Sequence, residues 1–126
     1  TTFVVDIMQD DRNAIKKAKE LNDSSTAIVV GTPTIFELYV GVGLSLKPSE
    51  EREKILSMLK SLTQLPLDAP SAVRAGLIYA ERVKEGLKVE PEDAMLAGIA
   101  IENHQPLLIR NKKDFSGIPE LKVEGY

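Results

Sequence analysis

Pro91-Glu92-Asp93-Ala94-Met95-Leu96-Ala97-Gly98-Ile99-Ala100-Ile101-Glu102-Asn103, followed closely by Pro106-Leu107-Leu108-Ile109-Arg110-Asn111-Lys112-Lys113-Asp114-Phe115, decides how this chain is read. Pro91 suits the first position of a helix, where its missing N–H removes no hydrogen bond. Glu92 and Asp93 then sit at the positive end of the helix dipole, and a long helix from Glu92 to Asn103 is predicted. Pro106 to Ile109 is a short apolar run bounded by polar residues, which reads as a buried strand. A helix feeding a buried strand is the repeating unit of a parallel α/β sheet. Ligands of such sheets bind beyond the carboxyl ends of the strands, which is where Asp114 falls.

Upstream, the same alternation repeats. Phe3 to Val5 reads as a first buried strand, with Asp6 directly after it, and Ile15, Ala18 and Leu21 or Asn22 mark one face of a helix. Ala27 to Val30 reads as a second strand. Gly31-Thr32-Pro33 supplies a turn, an N-cap and a first helical proline for a helix presenting Ile35, Leu38, Tyr39 and Val42. Ser49 is the expected N-cap of the next helix, whose stripe is Ile55, Met58 or Leu59, and Leu62. Leu65-Pro66-Leu67 reads as an edge strand, because proline cannot donate to a sheet ladder. A helix from about Pro70 to Glu85 should bury Val73, Leu77, Ala80 and Val83 or Lys84 and stop at Gly86. A short terminal strand is expected around Lys122 and Val123. The predicted fold is a single α/β domain over residues 1–126, a three-layer α/β/α sandwich around a mostly parallel sheet of four to five strands.

Composition narrows the chemistry. The 126 residues are 43% hydrophobic and 28% charged, with no cysteine. That excludes disulfides, thiol nucleophiles and cysteine-bound metal, so any metal must use harder ligands. No apolar run approaches the roughly 20 residues needed to cross a bilayer, and no signal-peptide core is evident, so a cytoplasmic protein without membrane contact is expected. Sixteen basic and nineteen acidic residues leave a net charge of −3, which argues against a protein that coats DNA through a broad basic surface. A nuclease stays open, because bound divalent cations reverse the local charge of an acidic site.

Four acids fall at informative places: Asp6 after the first strand, Glu37 in the helix after the second, Asp93 at the start of the late helix, and Asp114 after the last long strand. Carboxylate oxygens are the ligands that magnesium and manganese prefer, and such ions can activate water in phosphodiester cleavage. Each acid also has a purely structural explanation. Thr34 and Glu37 match a capping box, Asp93 can serve the helix dipole, and Asp114 can cap a turn while Asp6 caps the first helix. Asp10 and Asp11, and the run from Lys47 to Lys54, read as solvated surface. His104, the one histidine, falls near the end of the late helix, where capping is the expected use.

Taken in order, these segments resemble the PIN-domain family, in particular the VapC-type toxins of toxin–antitoxin pairs. Thr34-Ile35-Phe36-Glu37-Leu38-Tyr39-Val40-Gly41 is similar to the family's threonine, glutamate, leucine and glycine segment. Glu92 to Ala97 resembles its Asp-Ala-x-Ile-Ala segment, and Leu107 to Phe115 follows at family spacing. The resemblance implies a magnesium- or manganese-dependent ribonuclease. Asp6, Glu37, Asp93 and Asp114 would be its metal carboxylates and Thr34 and Asn111 supporting polar residues. Arg110, Lys112 and Lys113 could contact RNA phosphates. It also implies a VapB-type antitoxin partner and a homodimer, with exposed apolar residues among Ile35 to Leu62 as candidate contacts.

The N-terminus departs from the family pattern. Where members usually follow the strand and aspartate with a hydroxyl residue and then a polar one, Asp6 is followed by Ile7-Met8, as though several residues were absent between strand and helix. A deletion there implies a weakened or inactive PIN-like module that binds RNA or protein without cutting. An omission implies intact chemistry.

Overall fold

A computed structural model describes residues 3–126. The chain forms two compact units, residues 3–65 and 66–126.

In the first unit, helix α1 (Phe3–Met8) and helix α2 (Arg12–Asp23) precede strand β1 (Val29–Gly31), helix α3 (Thr32–Leu44), helix α4 (Pro48–Lys60) and strand β2 (Thr63–Leu65). Strands β1 and β2 pair in parallel, Val30 opposite Gln64. Val4, Val30, Leu38, Ile55 and Leu59 form the core, with Val5, Met8, Ile35, Tyr39, Val42, Met58 and Leu62 packed against it. The stripes expected for α3 and α4 are therefore the buried ones.

The expected strand over Phe3 to Val5 is instead the first turn of α1. Val4, Val5 and Met8 all pack on this one core. Met8 lies four residues from Val4 and three from Val5, spacings that share a helix face, whereas a strand would send Val4 and Val5 to opposite sides. A short apolar run does not distinguish the two by itself. Ile7 continues the same helix, so no strand ends at Asp6. Asp11, not Asp6, caps α2: its carboxylate accepts a hydrogen bond from the Ala14 amide at 3.0 Å. Ala14 is the fully buried residue of that helix and Ile15, expected on its inner face, is exposed. Two other caps shift by one or two residues, to Gly31 for α3 and to Lys47, rather than Ser49, for α4.

The second unit holds helix α5 (Ala69–Lys84), helix α6 (Pro91–Glu102), strand β3 (Leu107–Ile109), a 3-10 turn (Lys112–Phe115) and strand β4 (Val123–Gly125). Strands β3 and β4 pair in parallel, Leu108 opposite Glu124. The described residues thus contain four strands in two parallel pairs, one in each unit. The strand expected across Leu65-Pro66-Leu67 ends at Leu65, before the proline that cannot donate. Ile78, Ala94, Ala97, Ile101, Ile109 and Phe115 make the core of this unit.

Helix α5 buries a different face from the one its hydrophobicity suggests. Ser71, Ala75, Ile78 and Arg82 point inward, while Val73 and Leu77 remain 64% and 67% exposed. The reason lies in α6. A Cβ on Gly98 would lie 2.5 Å from the Ser71 carbonyl oxygen and 2.9 Å from the Ala75 amide nitrogen. The backbones cross so closely that only small side chains fit between them, so the small-residue face of α5 turns inward.

Helix α5 ends as expected at Gly86, whose φ of 72° is left-handed, and the Leu87 amide donates back to the Arg82 carbonyl. Helix α6 ends in the same way without a glycine. His104 takes φ 53°, its amide donates to Ile101 O, and the Gln105 amide donates to Ala100 O. His104 is thus a backbone cap. Replacing it with glycine, which adopts this conformation without a Cβ clash, should raise unfolding stability by about 1 kcal/mol. Urea denaturation of His104→Gly against the parent checks this, and an unchanged midpoint would show that the left-handed residue carries no strain.

Candidate active site

Asp93 and Asp114 lie together in the second unit. Asp93 is in the first turn of α6, after Pro91 and Glu92. Asp114 lies in the 3-10 turn that follows β3, beyond the carboxyl end of the strand. The Asp93 carboxyl is pushed above the ordinary aspartate range, first by burial and then by the negative charges of Glu90, Asp114 and Glu92. An acid serving only the helix dipole would be shifted the other way. Helix α6 also has no side-chain cap hydrogen bond at its N-terminus, so Asp93 is not held there as a cap.

The turn-capping explanation of Asp114 does not hold either. Asn111 is the cap, its side-chain oxygen accepting from the Lys113 amide at 3.2 Å, and Asp114 stands inside the turn. The Asp114 amide donates to the Asn111 carbonyl at 3.2 Å, and the Asp114 side chain is exposed. Asn111 therefore shapes the turn that carries the carboxylate. Lys112 and Lys113 are exposed on the same turn, and the Arg110 guanidinium lies over the Tyr126 ring at 5.7 Å.

In the first unit, Thr34 and Glu37 do not form a capping box. The cap of α3 is Gly31, which places Thr34 one turn inside the helix, 3% exposed, with Glu37 part-buried in the next turn. Glu37 is thereby relieved of the structural duty that its spacing suggested. Asp6 is 4% exposed within α1, a helix that packs against α3. It does not occupy a strand end.

Sequence reasoning missed Arg82. It is 7% exposed, and its Nη2 donates to the carbonyls of Asp114 at 3.1 Å and Ser116 at 2.7 Å. The signal was an arginine in phase with the small residues Ser71 and Ala75, a face passed over because the opposite one is more apolar.

The donor set of the second unit suits a hard divalent cation. Two carboxylates with acidic neighbours carry excess negative charge, and magnesium commonly uses one or two protein carboxylates with water completing its shell. Among the described residues, no three acidic or histidine side chains converge as a ready-made cage. A separate concavity of about 260 Å³, lined by Arg74, Glu102, His104, Glu120 and Lys122, includes neither aspartate. Its charges compensate one another, since Arg74 bridges Glu102 at 3.1 Å and Glu120 at 2.7 Å.

The family described as PIN domain matches residues 1–121, and the chain belongs to that family. It is similar to the tRNA(fMet)-specific endonuclease VapC of Salmonella typhimurium, with 27% identity over 108 residues, covering 86% of this chain and 82% of that protein. Among solved structures it resembles DNA-bound VapBC from Salmonella typhimurium, at 28% identity and a TM-score of 0.78, covering 97% of this chain and 90% of the other. VapBC2 from Rickettsia felis, bound to a promoter DNA fragment, shares the fold with a TM-score of 0.82 at 24% identity, covering 98% and 92%. The α/β PIN fold expected from the sequence is the fold observed. Among the described residues, no helix is long and apolar enough to cross a membrane.

Proposed function

We propose that this chain is a divalent-metal-dependent endoribonuclease, the toxin of a VapBC-type pair, acting on RNA in the cytoplasm as one PIN domain. The observation that carries the reading is the Asp93–Asp114 pair beyond a strand end, with the Asp93 carboxyl raised by burial and by neighbouring acids. In this reading Asp93 and Asp114 hold magnesium or manganese and Asn111 shapes the turn that carries Asp114, while Asp6, Thr34 and Glu37 of the first unit keep the metal-site roles that the family resemblance implies. When bound, the ion polarises the attacking water and neutralises charge on the phosphate. The protein's own part is to aim the carboxylates and to place Arg110, Lys112 and Lys113 beside the flanking phosphates.

Relatives named VapC and solved complexes named VapBC support an antitoxin partner for this chain. Phe36, Val40 and Leu44, spaced four apart on α3 and 62%, 44% and 82% exposed, offer an apolar surface for that partner or for a second copy.

The purified protein should cleave single-stranded or transfer RNA at internal positions with manganese or magnesium, and a chelator should stop it. RNA binding without cleavage at any metal concentration would instead establish the binding-module alternative.

A further inference from the structure

We infer that Arg82 is the positioning residue of the Asp114 carboxylate, an inference that rests on the metal-site reading above. Arg82 comes from the last turn of the second unit's longest helix, and its side chain ends at the turn after β3. Its guanidinium is buried, yet among the described residues no carboxylate pairs with it, and its Nε has no hydrogen-bond partner. What it meets instead are two backbone oxygens, those of Asp114 and Ser116.

A buried cation satisfied only by carbonyls is costly, and as core filling an apolar side chain would serve better. The two carbonyls explain the residue. They belong to the end of the 3-10 turn and the residue beyond it, where backbone oxygens lack helical partners and a cation is favoured. With the Asp114 amide held by the Asn111 carbonyl and its carbonyl held by Arg82, the aspartate backbone is fixed on both sides while the side chain stays exposed. Phe115, 7% exposed, anchors the next position in the core. An exposed carboxylate on a short surface turn is aimed only as well as its backbone is held. Arg82 reaches that backbone from behind, without touching substrate or metal.

Groups that orient metal ligands typically change metal affinity or activity by about 10- to 100-fold when removed. Manganese affinity, read from the electron paramagnetic resonance of the unbound ion, should therefore weaken about tenfold or more in Arg82→Met. Its kcat at limiting manganese should fall, with KM for RNA unchanged and activity recovered at high manganese. Arg82→Lys, which can reach one carbonyl, should fall between the two, and it keeps the test open if Arg82→Met does not fold. Parental manganese affinity in folded Arg82→Met or Arg82→Lys, with only the melting temperature lowered, would overturn the inference and leave Arg82 a fold staple. Asp114→Asn separates the two readings. If it weakens manganese binding while the Arg82 variants do not, positioning fails alone. If Asp114→Asn binds manganese as tightly as the parent, or the parent does not bind it, both readings fall.

Discussion

Asp93→Asn should abolish RNA cleavage while leaving the metal-free protein slightly more stable than the parent. The first half follows from the proposed ligand role. Loss of a group that merely orients a ligand costs up to about 100-fold, so loss of the ligand itself should cost at least about that much. The second half follows from the shifted carboxyl. Its pKa in the folded chain lies above the ordinary aspartate value, so the folded state binds the proton more tightly than the unfolded one. The contribution to stability is then fully present below the ordinary value and lost as pH rises through the raised one, leaving an ionised, disfavoured Asp93 at neutral pH. Asparagine keeps the shape and removes the charge. Because the site is only half-buried, water screens much of the effect and the gain should be small.

Added manganese should raise the melting temperature of the parent and not of Asp93→Asn. A purely structural Asp93 predicts the reverse pattern, with cleavage retained and stability lost. Cleavage by Asp93→Asn at the parental rate would remove Asp93 from the site.

Gly98→Ala should be among the most destabilising single-methyl changes in the chain. The added carbon would lie 2.5 Å from the Ser71 carbonyl oxygen, 2.9 Å from the Ala75 nitrogen and 3.0 Å from the Ala75 Cβ. The nearest two atoms are backbone, so the clash is relieved only by moving one helix off the other. That opens the most extensive helix contact in the chain, α5 against α6, and loosens Ile78, Ala94, Ala97 and Ile101 in the core. Overpacking of this kind costs about 1–3 kcal/mol and sometimes more, against the roughly 1 kcal/mol by which alanine is the better helix former. A net loss of about 2 kcal/mol is expected, and Gly98→Val should not fold.

Gly76→Ala, in α5 itself, is the control. Nothing lies within 4 Å of its added carbon, so helix propensity acts alone and stability should rise by up to about 1 kcal/mol. Opposite signs for the same chemical change on one helix pair, read by urea denaturation, would establish close crossing as the cause. Equal effects would refute it.

How much of this was legible in the sequence can be judged residue by residue. Composition alone excluded thiol chemistry. The period of the apolar residues located α3 and α4, Pro91 and the acids after it located α6, and short apolar runs located the strands at Val29 and Leu107. Position beside predicted helices and strands marked Asp6, Glu37, Asp93 and Asp114, and the resemblance to the PIN family, rather than any local spacing, raised them to site candidates. At Phe3 to Met8 the pattern was too short to choose helix over strand, and only the core beneath Val4, Val5 and Met8 decided.

Other features depended on what lies opposite. Which face of α5 is buried was set by Gly98 on another helix, not by the hydrophobicity of α5. Whether Thr34 and Glu37 cap a helix depended on where α3 begins, and it begins at Thr32, capped by Gly31. The link from Arg82 to Asp114 joins residues far apart in the chain, and no local spacing encodes it. The order of helices and strands after Met8 was therefore the sequence's own, written in period and end signals. The inward face of α5, the caps of α3 and of the turn after β3, and the buried cation behind the Asp114 turn were settled only in three dimensions, because they depend on what packs opposite.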